Sequence, residues 1–162
     1  MAVSISPTIT FTAQETLDVG VDAAPSPIIP HSGFNVAGPQ LNATSTPPVT
    51  MTSYQEYTLS GGAFIIDLRA LLGVNDEVQD ANGLKLQTII IRNPSGNNPI
   101  TIGEGATNGY PIWGAGNDLI VPADSEIAMT FNETLADVAA ADKDIDVAGT
   151  GTETFDVGIC LG

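Results

Sequence analysis

Hydrophobic and polar residues alternate along many short segments of the chain, a pattern typical of β-strands with one buried face. The clearest case is the alternation of Phe155, Val157, Ile159 and Leu161 with polar or small residues. Further short apolar or alternating segments lie at residues 9–11, 17–21, 58–59, 64–68, 84–92, 100–103, 111–113, 119–121, 127–131 and 145–147. Their number and spacing predict an all-β protein, with a β-sandwich or jelly-roll-like single domain.

The segments between these strands predict how the strands connect. Residues 148–152 are rich in Gly and Thr, and we expect them to join 145–147 and 155–161 as a hairpin. Ser60-Gly61-Gly62 predicts a second hairpin. Residues 69–73 end at a glycine and predict one helical turn. Segment 84–92 becomes apolar on both faces, which favours a central strand whose far end is covered.

The first 50 residues differ in composition from the rest. We expect N-terminal strands and a proline-rich extended arm or crossover over residues 1–50, followed by a β-sandwich body over residues 51–162. Six prolines lie between residues 23 and 50: Pro25, Pro27, Pro30, Pro39, Pro47 and Pro48. This segment is interpreted either as an arm that packs on another molecule or as a long loop over the same sandwich.

The charge balance narrows the choice of partners. The chain has 162 residues with 4 Lys+Arg against 19 Asp+Glu, a formal net charge of −15. So few cations cannot neutralise the phosphates that duplex binding requires, and they disfavour anionic lipid. The N-terminal residues 1–20 contain no Lys or Arg and no long apolar run. We therefore expect a soluble protein without a secretory leader, and with neither nucleic acid nor membrane as a partner.

The chain offers few residues for catalysis or cofactor binding. It has one cysteine, Cys160, and one histidine, His31, too few for an internal disulfide or the usual zinc ligand sets. The sequence has no G-x-S-x-G motif that would supply a nucleophilic serine for His31 to activate. We expect a protein that is not an enzyme and has no catalytic residues and no cofactor.

The acidic segment around Asp142, Asp144 and Asp146 resembles part of a calcium-binding loop, with Glu153 at the twelfth position. Position 6 is Val147, where an EF-hand has Gly for its sharp turn. Two interpretations stay open: these carboxylates form the solvent-facing side of a strand, or they form a surface Ca²⁺ site.

Two aromatic residues lie in a glycine-rich stretch. Tyr110 and Trp113 are candidates for an oligomer or partner interface, for a sugar-stacking pair, or for covering one end of the sandwich. The remaining candidates for a partner or oligomer interface are prolines of the N-terminal segment: Pro25, Pro27, Pro30, Pro47 and Pro48.

The order of segments over residues 52–162 resembles that of small structural proteins of tailed-bacteriophage virions, of the head decoration or cement type. The segments that carry the resemblance are GLKLQTI (83–89), NPITIG (98–103), GATNGY (105–110), VP (121–122), IDVAGTG (145–151) and FDVGI (155–159). The resemblance implies a small β-sandwich that forms trimers on the capsid exterior and bridges neighbouring copies of the major capsid protein. It implies synthesis in the host cytoplasm and carries over no catalytic residue.

The charge of the chain affects how such a protein assembles. Three copies would carry 3 × −15 = −45 charges, so close association requires apolar contacts, bound cations or a basic capsid surface. Packaged DNA would repel the chain, which favours the outer surface of the shell. The alternative function is a virion spike or host- or glycan-binding module that uses Tyr110 and Trp113.

Overall fold

The computed structural model describes residues 4–5, 8–16, 28–37, 41–73, 76–114, 116–131 and 135–162, and the secondary structure in these ranges is all β. The strands are β1 (Ser4–Ile5), β2 (Thr8–Thr16), β3 (Ile28–Ala37), β4 (Leu41–Asn42), β5 (Met51–Thr58), β6 (Ala63–Asp67), β7 (Leu71–Leu72), β8 (Val78–Gln79), β9 (Leu86–Asn93), β10 (Ile100–Glu104), β11 (Leu119–Val121), β12 (Ser125–Thr130), β13 (Asp144–Ala148) and β14 (Thr154–Leu161). The all-β prediction is confirmed.

Two four-stranded antiparallel sheets contain most of the strands. Sheet I has the order β11-β10-β13-β6, and sheet II has the order β12-β9-β14-β5. Three two-stranded sheets pair β1 with β4, β2 with β3, and β7 with β8. The prediction of a central strand over 84–92 is confirmed, because β9 lies between β12 and β14.

The side chains that alternate along the strands form one hydrophobic core. In β14 the inward residues Phe155, Val157, Ile159 and Leu161 are at most 2% exposed, and they share one buried cluster with Ile102 of sheet I and its neighbours. Burying a side chain of this size stabilises the fold by roughly 1.5–3 kcal/mol. The alternation seen in the sequence therefore reports which face of each strand meets the core.

The chain divides into two compact units. One comprises residues 5–40, and the other comprises residues 1–4 and 41–162. In the smaller unit, β2 and β3 pair antiparallel, with a register shift between Phe11 and Thr12. Part of the proline-rich segment 23–50 is therefore a ten-residue strand, β3. The predicted strand at 17–21 lies outside the described residues.

The predicted hairpin between residues 145–147 and 155–161 is wrong, because β13 lies in sheet I and β14 in sheet II. The connection between them runs beside the connection from β5 to β6: Gly149 N–H donates to the Gly62 carbonyl, and Gly62 N–H donates to the Gly151 carbonyl, both at 2.8 Å. The adjacent strands β5 and β14 thus turn a corner together and continue in sheet I as β6 and β13. Gly62, at φ 84°, fits this corner because an added Cβ would lie 2.8 Å from the Gly149 carbonyl oxygen.

Three more local predictions differ from the structure. Ser60 and Ala63 form the tight bridge expected of the second hairpin, but β5 and β6 enter different sheets. The expected helical turn at 69–73 contains instead the short strand β7, and residues 111–113 form a turn rather than a strand. Among the described residues, no helix is long and apolar enough to cross a membrane.

Candidate interaction surface

The outer face of sheet II presents three rows of side chains that cross all four strands. Cross-strand pairing places Tyr54, Gly158, Ile90 and Ala128 side by side, and we call this the apolar row. On one side of it lies the threonine row: Thr52, Cys160, Thr88 and Thr130. On the other side lies the charged row: Glu56, Asp156, Arg92 and Glu126. The apolar and threonine rows together form the outer patch, eight positions without a charged side chain, of which Cys160 and Thr88 are buried at 3% and 2% exposure.

Two large hydrophobic side chains of the outer patch are exposed. Tyr54 is 68% exposed and Ile90 is 42% exposed. They flank Gly158, where an added Cβ would lie 3.4 Å from Cδ2 of Tyr54 and 3.7 Å from Cβ of Ile90. The prediction that the far end of segment 84–92 is covered is therefore not met at Ile90. The Ile90 side chain is hydrophobic and would be expected in a core, but it lies at the surface.

The charged row borders the outer patch with an excess of carboxylates. Arg92 is its one cation, and its guanidinium lies 4.0 Å from the carboxylate of Asp156. Glu56 and Glu126 stand at the two ends of this row. A surface that matches this side of sheet II would therefore be apolar opposite Tyr54 and Ile90 and basic opposite the charged row.

The outer face of sheet I is different, because its exposed isoleucines lie in different rows and one of them lies beside a carboxylate. Ile65 and Ile120 are 59% and 64% exposed. Asp146 is the cross-strand neighbour of Ile65. Ile120 lies in another row, next to Thr101. The two side chains do not form a continuous apolar strip.

The structure disperses the candidate calcium ligands among other partners. Asp144 is 8% exposed and accepts a hydrogen bond from the Lys143 ammonium at 3.1 Å. The same ammonium is paired with Asp67, and this partner raises the pKa of Lys143 most. Asp146 accepts the N–H of Ala106 at 3.1 Å. In the described part of the chain, no group of three or more His, Cys, Asp or Glu side chains is placed to hold a metal ion.

Tyr110 and Trp113 do not form a surface pair. Tyr110 is 0% exposed, and its hydroxyl donates to the Ala136 carbonyl at 2.7 Å and accepts the N–H of Leu86 at 3.3 Å. Burial raises its pKa. Trp113 is half-buried, packs near Phe131 with ring centroids 6.3 Å apart, and donates its indole N–H to the Ile102 carbonyl. Tyr110 is thus a core residue in this chain, so the surface interactions proposed for it do not apply.

The proline candidates have different positions. Pro25 and Pro27 lie outside the described residues, and Pro30 lies in β3. Pro47 follows a cis peptide bond, and its carbonyl accepts a hydrogen bond from the Gln87 side chain at 2.9 Å. Pro48 is exposed. Sequence reasoning missed the outer patch; the alternation of Thr52 and Tyr54 with inward residues indicates only that these two side chains share the outward face of one strand.

Neither a protein-family model nor a curated protein matches the sequence. Among solved structures, the chain is similar to a protein of Bacillus endospore appendages, which are described as forming a novel family of disulfide-linked pili. The two chains are 17% identical, the match covers 68% of this chain and 82% of that chain, and the TM-score is 0.43.

Proposed function

We propose that this protein is a capsid decoration (cement) protein of a tailed-bacteriophage virion, which binds the outer head surface and stabilises contacts between capsid subunits. The observation that carries the proposal is the outer patch, an uncharged strip with exposed Tyr54 and Ile90 on a chain of net charge −15. Exposed apolar patches bordered by polar residues commonly mark interaction sites. The segment order of residues 52–162 supports the virion as the setting.

We infer that sheets I and II form a β-sandwich with jelly-roll connectivity. If the eight strands of these sheets are numbered one to eight along the chain, the order is 6-3-8-1 in sheet II and 5-4-7-2 in sheet I. Strand 1 then pairs with 8, 2 with 7, 3 with 6 and 4 with 5, the nested pairing of a jelly roll. Viral capsid proteins and lectins share this architecture, so the fold fits the proposal but does not select it.

The proposed partner is a basic, partly apolar surface of the major capsid protein. Its apolar part would cover Ile90 and Tyr54, and its basic rim would face the charged row, where Glu56, Asp156 and Glu126 outnumber Arg92. Such complementarity speeds association and selects the partner more than it adds affinity. The resemblance to cement proteins further implies three copies around a common axis on the shell.

A binding experiment with a matched pair of variants tests this function. Purified protein is mixed with heads of the phage that encodes it, after removal of the resident copy, and co-sedimentation is measured. We expect the unaltered protein and Ile120→Glu to sediment with heads, and Ile90→Glu to bind about tenfold more weakly or worse. Both substitutions place a carboxylate at an exposed isoleucine, but only Ile90 lies in the outer patch. Absence of binding by the unaltered protein, or equal binding by both variants, contradicts the proposal.

The charge of the chain predicts how its self-association depends on salt. Because copies of this chain repel one another at −15 each, screening should strengthen contacts between them. We expect the weight-average mass from light scattering to rise as NaCl increases from about 50 mM to about 500 mM, where the Debye length is a few ångströms. A mass that is constant or falls over this range would contradict a charge-limited association.

A further inference from the structure

The edge strand β5 leaves one side of its backbone without a partner strand. Sheets I and II end in four edge strands, and β5 has eight residues, against six in β12, five in β6 and three in β11. Its eight residues pair with β14 in an unbroken register from Met51 to Thr58. Within the described ranges, no strand pairs with its opposite side. β5 is therefore the longest edge of the two main sheets without a pairing strand, and its described neighbour there is Leu72 of β7, whose carbonyl accepts a hydrogen bond from the Ser53 hydroxyl at 2.7 Å.

The hydrogen-bond pattern identifies the backbone groups on this open edge. Leu59 N–H donates to the Glu153 carbonyl at 2.9 Å. Because directly bonded pairs alternate with unbonded pairs along an antiparallel ladder, Thr52, Tyr54 and Glu56 occupy unbonded positions opposite β14. Their N–H and C=O groups point away from β14. The short distance from the Gly158 position to the Tyr54 ring, 3.4 Å, fits an unbonded pair, in which side chains approach closely.

β5 lacks the usual features that protect an open edge. Natural edge strands are commonly guarded by lysine, proline, a bulge or an inward-pointing charge. The sequence of β5 is MTSYQEYT, with neither lysine nor proline, and its ladder with β14 has no register shift. Its single charged residue is Glu56, on the outer face and exposed. β5 thus carries one of the 19 acidic residues of the chain.

We propose that β5 pairs antiparallel with β5 of a second copy of this chain around a two-fold axis, so that two copies of sheet II form one eight-stranded sheet. The axis passes beside Tyr54, so each Tyr54 faces the Tyr54 of its partner and Glu56 faces Thr52. An axis at Glu56 would place two carboxylates directly opposite, which is unfavourable. The register at Tyr54 avoids this and joins the two exposed rings on one face, where aromatic cross-strand pairs are stabilising.

This contact uses the backbone edge of β5, whereas attachment to a capsid would use the outer face of sheet II. Tyr54 and Glu56 belong to both surfaces, but the dimer is measured without capsids and does not depend on the proposed function. The mutated residue is also different: Glu56 for the edge contact and Ile90 for the face. Failure of either proposal is therefore recognised separately.

Proline at an outward position tests the pairing. Glu56→Pro removes an N–H that points away from β14, and edge strands tolerate proline at such positions. Glu56→Ala, the matched control, keeps the N–H and removes the carboxylate. In sedimentation equilibrium at moderate salt, we expect the full chain and Glu56→Ala to form a species of twice the 16.7 kDa chain mass. We expect the dimer of Glu56→Pro to dissociate about tenfold more readily or worse, since the N–H is lost once from each copy.

Several results would overturn the proposal. A full chain that stays monomeric at high concentration, or associates only as a trimer, excludes a β5 dimer. A dimer of Glu56→Pro as tight as that of Glu56→Ala places the contact elsewhere. If Glu56→Pro does not fold, hydrogen exchange on the unaltered chain tests whether β5 pairs with β5 of a second copy. The amides of Tyr54 and Glu56 should exchange more slowly as the dimer becomes populated, and exchange rates independent of concentration contradict the pairing.

Discussion

Gly149, directly after β13, and Gly158, within β14, have different roles at the scale of single atoms. At Gly149, an added Cβ would lie 2.7 Å from Cδ1 of Leu59 and 3.1 Å from Cγ2 of Ile100, and both of these side chains are buried. At Gly158, an added Cβ would make ordinary contacts with Tyr54 and Ile90. Gly149 is thus required by the close approach of the two sheets at their corner, whereas Gly158 only widens the space between two surface side chains.

This difference predicts opposite effects for the same substitution. Gly149→Ala should lower the free energy of unfolding by about 1–3 kcal/mol through overpacking. Gly158→Ala should leave it unchanged or raise it by up to about 1 kcal/mol, because alanine loses less backbone freedom on folding. Urea unfolding followed by fluorescence measures both. Equal effects of the two substitutions would show that the corner is not tightly packed.

The thiol of Cys160 is predicted to be unreactive in the folded protein. Cys160 is 3% exposed, and burial raises the pKa of its thiol from 9.0 to about 11. At pH 8 we expect no reaction with a thiol reagent until the chain is unfolded in guanidinium.

The raised pKa of Cys160 makes the free energy of unfolding depend on pH in the alkaline range. The unfolded thiol ionises near pH 9 and the folded thiol near pH 11. Stability from the protonated thiol is therefore complete below about pH 9 and is lost as the pH rises through about 11. The difference in unfolding free energy between the unaltered chain and Cys160→Ala isolates this effect, since the tyrosines are common to both. A difference that is constant from pH 8 to pH 11 would contradict it.

At the scale of elements, the loop after β9 is held by the side chain of one buried asparagine. Asn93 is 0% exposed, and its amide donates to the carbonyls of Asn98 and Val121 at 2.9 and 3.0 Å. Its side-chain oxygen accepts a hydrogen bond from the amide of Asn97 at 2.9 Å. Asn93 thereby fixes the passage of the chain from sheet II to sheet I.

Removing the Asn93 side chain should lower the free energy of unfolding more than removing the exposed amide of Asn98 from the same loop. Asn93→Ala removes the side-chain donor to two carbonyls, while the Asn97 amide keeps its hydrogen bond to the Thr154 carbonyl, and we expect the fold to lose about 2–3 kcal/mol. Asn98→Ala removes an exposed hydrogen bond to Glu153 of 2.7 Å, and we expect a loss below about 1 kcal/mol. Thermal unfolding by calorimetry compares the two. A larger loss for Asn98→Ala would reverse the roles assigned to these residues.

The sequence predicts where strands lie better than it predicts which strands pair with each other. β13 and β14 show why. Alternation depends on which side chains meet the core, so the segments at Ile145 and Phe155 are recognisable without any knowledge of the fold. A hairpin and a corner between two sheets require the same Gly- and Thr-rich connection, so local pattern cannot distinguish them. Pairing depends instead on Gly62, far away in sequence, whose backbone bonds to Gly149 and Gly151.

The candidate site was less predictable than the fold for a related reason. Tyr110 and Trp113 attract attention as aromatic residues in a glycine-rich stretch, but Tyr110 faces the core and its hydroxyl bonds to buried backbone. The outer patch becomes visible only when Tyr54 and Ile90 are brought together across Gly158. These residues are 104 and 68 positions from Gly158 in the sequence, so no local motif could contain them.

At the scale of the whole molecule, the main body should fold without the first 40 residues. The described core cluster and the side chains packed against it lie between Met51 and Leu161. The larger unit includes residues 41–162. We expect a fragment of residues 41–162 to unfold cooperatively, with a far-UV circular dichroism spectrum typical of β-structure. An unfolded or aggregated fragment would show that residues 1–40 are needed for the body to fold.

The central position of β14 in sheet II has a consequence for the order of folding during synthesis. β14 lies between β9 and β5, and among the described strands of sheets I and II it is the last to leave the ribosome. Until it emerges, β5 has no partner in sheet II, and β9 is paired only with β12. Both strands therefore stay open in the nascent chain until β14 emerges, and the contacts that then form join residues up to 110 positions apart, which makes folding slow. Ribosome-bound chains are consequently most exposed to wrong strand pairing after β5 and β9 have emerged and before β14 has emerged.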